Sequence, residues 1–117
     1  MTNEVRIDEI IKEIGEIEME QDEAKRLFKN FQEEEEYNYD CLRDRLREIN
    51  SEFEACQGDR HLKNLVEEKY RMLQEMEREC EDFLYELEEE RKKMNDQCES
   101  NIDELRYEIQ RLRTEVM

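Results

Sequence analysis

The stretch Cys56-Gln57-Gly58-Asp59-Arg60 divides this chain in two, and the residues on either side of it decide the fold. Upstream, Ile7, Ile10, Ile14, Ile17, Gln21, Ala24, Phe28, Phe31, Glu35, Tyr39, Leu42, Leu46, Ile49, Phe53 and Cys56 recur in steps of three and four. That is the period of one face of a helix. Thirteen of the fifteen positions suit a core, which chance does not give in a chain this polar. Downstream, a second stripe begins at Leu62 and Val66. It resumes at Leu73, Met76, Cys80, Phe83, Leu87, Arg91, Met94, Cys98, Ile102, Leu105, Ile109, Leu112 and Val116. Consecutive four-residue steps at Phe31-Glu35-Tyr39, Phe83-Leu87-Arg91 and Met94-Cys98-Ile102 shift the phase. A long two-stranded fibre keeps a regular repeat, so these shifts suit nearly straight helices in a compact bundle.

The break between the stripes has the chemistry of a helix end. Gly58 tolerates the left-handed conformation that closes a helix, and Asp59 can cap the next one with a charge that favours its dipole. Ser51-x-x-Glu54 resembles a capping box, but the stripe runs through it unbroken, which favours Gly58 as the turn. So short a connection makes the helices antiparallel. The expected architecture is all-α: one hairpin domain over residues 1–117, with helices at about 3–56 and 60–115 and the turn at about 57–60. Its coiled-coil-like seam would complete a helical bundle with a partner or with a second copy.

Composition agrees with this. Of 117 residues, 47% are charged, Pro is absent and Gly occurs twice, which suits long helices and starves a sheet of turn residues. The sustained period separates the chain from a disordered polyelectrolyte. A formal net charge of −17 repels nucleic-acid phosphates and anionic lipid, and it attracts a basic protein or simply keeps the chain soluble. No apolar run approaches the ~20 residues of a membrane span, and Met1-Thr2-Asn3-Glu4 has no signal-peptide character. Cytoplasmic folding is the expectation, with no membrane insertion.

Chemistry of the catalytic kind is hard to find. His61 is the only histidine and follows the turn, without the Ser or Asp grouping that nucleophilic catalysis needs. A di-iron bundle needs two Glu-x-x-His pairs. Cys41, Cys56, Cys80 and Cys98 contain no C-x-x-C pair; Cys56, Cys80 and Cys98 fall on the stripes, and the cysteines read as small reduced core residues rather than disulfides. Glu33-Glu34-Glu35-Glu36 lacks the glycine turn of a calcium loop and points four ways around a helix. No enzyme activity, metal or cofactor is expected. Gln21, Glu35 and Arg91 are polar breaks in the stripes, of the kind that set register at some cost in stability. Gly15, inside the first helix, reads equally as a point of close helix approach or as tolerated chance.

The apolar faces are wider than one seam requires. Ile11, Leu27, Leu65, Met72 and Leu84 flank stripe residues, and Tyr37, Tyr70, Tyr85 and Tyr107 widen the faces further. Each large side chain left exposed forgoes roughly 1.5–3 kcal/mol of burial, so a further helical surface is expected. Leu27, Tyr37, Met72, Leu84 and Tyr85 are the candidate partner-facing residues. On this reading Leu84→Glu abolishes partner capture and spares helicity. Nine acidic and two basic residues in positions 1–24, against Arg106, Arg111 and Arg113 near the far end, favour antiparallel pairing.

An acidic, Trp-free hairpin of this length with Gly58 at its turn resembles the small α-helical accessory proteins of Gram-positive type VIIb secretion. Those are distant relatives of the WXG-type hairpins. The resemblance covers the whole chain, with one departure: the turn is Gln57-Gly58-Asp59, and the Trp of the family's Trp-Xaa-Gly motif is missing. It implies binding to the helical N-terminal domain of an LXG toxin, together with a second small helical accessory protein, as a targeting chaperone. It also implies co-export through a type VII system, for which Tyr85 and Glu89 form the one secretion-like Tyr-x-x-x-Glu match. Two other readings stand beside it. One is a self-assembling scaffold in which two hairpins make a four-helix bundle. The other is a prefoldin-like holdase, although residues 57–61 carry no strand segment.

Overall fold

The computed structural model describes residues 2–116, Val116 by its backbone alone, so the Val116 end of the expected stripe lies outside the described side chains. Two helices account for nearly all of it: α1, Thr2–Ala55, and α2, Arg60–Val116. Among the described residues there is no strand. Gly58 takes φ 99°, a conformation open to glycine and costly for other residues. The Asp59 N–H donates to the Cys56 carbonyl at 3.1 Å, and the Asp59 carboxylate accepts the Leu62 N–H at 3.1 Å. One residue thus closes α1 and caps α2. Helix starts and stops fall within one residue of the positions expected from sequence.

The chain divides into two compact units, Met1–Lys29 with Glu89–Met117, and Asn30–Glu88. In the first unit the α1 and α2 segments run antiparallel. Asn3 Nδ2 donates to the Leu112 carbonyl at 3.5 Å, Arg6 Nε reaches Glu108 at 3.4 Å, and Gln21 meets Asn95 and Glu99. Ile10, Ile14, Ile102, Ile109 and Leu112 form the buried core, with Ile7, Ile17 and Leu105 packed against it. Gln21 is buried too, although it is polar. Its amide Nε2 donates to Asn95 Oδ1 at 2.7 Å and to Glu99 Oε1 at 3.0 Å, so its burial leaves no donor stranded. Arg6 also binds Glu9 and Glu13 on its own helix. The cross-helix ion pair here therefore runs from a basic α1 to an acidic α2. It replaces the expected pairing of acidic α1 residues with Arg106, Arg111 and Arg113, none of which is ion-paired among the described residues.

The second unit is built differently. Its buried apolar side chains are Ile49, which is fully buried, and Cys80. The rest of its seam is half-buried and partly polar, including Glu35, Tyr39, Leu42, Leu46, Tyr70, Leu73, Glu77, Leu84 and Leu87. The ring of Phe53 meets Tyr70 edge-on, with centroids 6.3 Å apart and planes at 76°. Lys69 pairs with Glu52 at 3.6 Å, and the Tyr39 hydroxyl donates to Glu81 at 3.0 Å.

The α2 seam differs in phase from the expected stripe. It follows Val66, Tyr70, Leu73, Glu77, Cys80, Leu84, Leu87, Arg91 and Met94 in strictly alternating steps of four and three. Tyr70 fills the gap left between Val66 and Leu73. Leu62, Met76 and Phe83, assigned to the stripe on apolarity, are exposed. On α1, Phe31 is exposed as well. An unbroken phase keeps the whole row turned toward α1. Choosing the more apolar residue at each step would rotate the row off the seam.

Two substitutions test this packing. Ile10, wholly buried, should cost about 2–5 kcal/mol as Ile10→Ala, read by urea unfolding. Gly15 has open space where a Cβ would go, so Gly15→Ala should raise stability by about 1 kcal/mol through helix propensity.

Candidate functional site

Among the described residues thirteen large apolar side chains are exposed, and eight belong to the second unit: Phe31, Tyr37, Leu62, Leu65, Met72, Met76, Phe83 and Tyr85. The less well packed unit therefore also carries most of the uncovered apolar surface. Some of that surface converges. Glu35, Asn38, Cys41, Leu42 and Arg45 of α1, with Met76, Glu79, Cys80 and Phe83 of α2, line one solvent-open groove of about 630 Å³. Helical spacing extends the face beyond it. Phe31 precedes Asn38 by two turns, Met72 precedes Met76 by about one turn, and Leu65 precedes Met72 by two.

The five candidates drawn from sequence do not form one surface. Met72 joins the groove face and is 64% exposed. Tyr37, 70% exposed, lies two residues from the seam positions Glu35 and Tyr39 and so points roughly opposite the seam. Tyr85, two residues beyond Phe83, is rotated by about 200° and faces elsewhere. Leu27 is exposed but belongs to the other unit. Leu84 is corrected outright: it is half-buried in the α2 seam rather than exposed, so Leu84→Glu would strike hairpin packing before it touched a partner. The residues missed are Phe31, Met76 and Phe83, whose apolarity had assigned them to the seam.

Tyr85 and Glu89 stand one turn apart within continuous α2, Tyr85 exposed and Glu89 half-buried. His61 is exposed in the first turn of α2. Of the glutamate run, Glu33, Glu34 and Glu36 are exposed while Glu35 turns into the seam. Among the described residues, no group of three or more His, Cys, Asp or Glu side chains is placed to hold a metal ion. Nor is any helix there long and apolar enough to cross a membrane.

The floor of the groove has one shifted group. Burial first, and then a hydrogen bond to the Glu35 carboxylate, push the Cys80 thiol up to about 11. At neutral pH Cys80 is therefore a protonated donor to Glu35, not a nucleophilic thiolate. Cys41, on the groove wall, is exposed. A hydrogen bond with the Cys41 thiol is the main cause that raises the Tyr37 phenol, and one to Glu81 raises Tyr39.

Because the folded-state value of Cys80 is raised, its contribution to stability is complete below the ordinary thiol value of about 8.5. It is lost as pH climbs toward about 11. Unfolding curves of the native chain and Cys80→Ala should show the native chain losing ground across that window. Alkylation at neutral pH, mapped by mass spectrometry, should modify Cys41 first and Cys80 last. No protein-family model, curated protein or solved structure matches the chain.

Proposed function

We propose that this chain is a non-enzymatic binding protein whose second unit docks another helical protein. One observation carries the reading: Met76 and Phe83 stand exposed on the wall of a single groove, with Phe31, Met72 and Leu65 in line with it by helical spacing. Covering these side chains recovers roughly 1.5–3 kcal/mol apiece, an incentive the hairpin cannot satisfy internally. A helix laid between two others is the packing that does so, since helix pairs settle at interaxial distances of 8–10 Å with side chains interdigitated.

The resemblance to type VIIb accessory proteins supplies a finer version, in which the partner is the helical domain of an LXG toxin. The chain then acts as a targeting chaperone, and it accompanies or releases its cargo at a type VII system. Support for this version is the acidic, Trp-free hairpin with its glycine turn. The specific test is co-expression with the product of the neighbouring reading frame, which should yield a stoichiometric complex.

The general reading is tested by sedimentation of the purified chain from low micromolar to near-millimolar concentration. A helical monomer throughout is the expected result. A tight homodimer in which Met76 and Phe83 become protected would instead establish the self-assembling four-helix scaffold.

A further inference from the structure

The groove face has a second pattern that bears on what it can hold. Leu65, Met72, Met76 and Phe83 are each followed three residues later by a glutamate: Glu68, Glu75, Glu79 and Glu86. Both rows therefore share the same spacing of seven, four and seven. Three residues is close to one helical turn, so the glutamate row runs parallel to the apolar row along the outer border of the groove. All four carboxylates are exposed, and among the described residues none of them is ion-paired. The surroundings do not neutralise the row. Positions 30–88 hold nineteen acidic and eight basic residues, so this unit carries −11 of the chain's −17.

A second copy is a poor occupant for such a face, because it would bring two unneutralised glutamate rows together. An acidic amphipathic helix fails for the same reason. We infer that the groove takes a single cationic amphipathic helix from a different protein. Its apolar stripe lies over Phe83, Met76, Met72 and Leu65, and its lysines or arginines lie against the glutamate row. From Leu65 to Phe83 is roughly 27 Å of helix axis, so the occupant is about eighteen residues long. This rests on the helix-binding reading above and adds the chemistry of the partner. The glutamates supply steering and orientation, while the apolar row supplies the buried surface.

Two synthetic peptides of about eighteen residues decide it. They share one leucine stripe and differ in flanks, lysine in one and glutamate in the other. Calorimetry on the full chain should show the lysine peptide binding one to one, about tenfold or more tighter than its acidic twin. Raising salt from about 0.1 M to about 1 M, which shortens the screening length from about 10 Å to about 3 Å, should shrink that preference. Met76→Asp with Phe83→Asp should remove binding, while Tyr85→Asp, on another face, should leave it unchanged. Replacing Glu68, Glu75, Glu79 and Glu86 with Gln leaves the apolar row intact and should abolish the preference between peptides.

Equal affinity for the two peptides overturns the inference, as does no binding of the lysine peptide. Binding that survives Met76→Asp with Phe83→Asp also overturns it, by exposing a general attraction to an acidic chain. Failure of the lysine peptide with a monomeric chain removes only the partner chemistry. A tight homodimer removes the helix-partner reading itself.

Discussion

Two helices packed only against each other can each bury one line of side chains and no more. Every other feature of this chain is a response to that constraint. In the first unit the line is filled with isoleucine and leucine, and Ile10, Ile14, Ile102, Ile109 and Leu112 reach the burial expected of a core. In the second unit the line is thin. Glu35 and Glu77 occupy seam positions, and Phe31, Met76 and Phe83 lie outside. Apolar residues displaced from one line have only the flank to occupy. The thin seam and the exposed groove are therefore two aspects of one arrangement.

The polar seam of the second unit is not a simple defect. The Glu35 carboxylate accepts from Cys80, Glu81 accepts from the Tyr39 hydroxyl, and Glu52 pairs with Lys69. Half-buried Glu35, Glu52 and Lys69 thus have partners, which spares them the heavy penalty of an unpaired charge. Such contacts add little net stability, because exposed or half-exposed pairs contribute about 0–1 kcal/mol each. They do discriminate between arrangements, and a segment held by geometry rather than by bulk burial is suited to gaining surface from a third helix.

The helices, their antiparallel course and the turn could be read from the residues alone. A 3.6-residue period interrupted once, at a glycine followed by a capping aspartate, leaves few alternatives. The rotation of α2 was less legible. At two steps of the row the chain offers an apolar residue beside another choice, Met76 beside Glu77 and Phe83 beside Leu84. Ranking by apolarity selects the wrong member at Met76 and Phe83, because the phase is set by the whole row from Val66 to Met94. An error of one residue turns a side chain by about 100°, enough to exchange a groove residue for a seam residue. The groove was hidden for that reason, since it exists only when the rotations of both helices are known. The parallel rows of apolar residues and glutamates were present in the sequence, but they acquire meaning once Met76 and Phe83 are seen to face outward.

The buried amide of Gln21 has a consequence for how the first unit can fail. Isoleucine ladders are nearly indifferent to slippage, because a heptad shift restores one apolar contact with another. Sliding α1 one heptad toward the C-terminal end of α2 would move Gln21 from Asn95 and Glu99 to Ile102 and Arg106, whose side chains offer no acceptor for its two donors. Stranding that amide costs about 1–3 kcal/mol, a large share of a marginal fold. One polar side chain therefore acts as a bolt through an otherwise sliding joint.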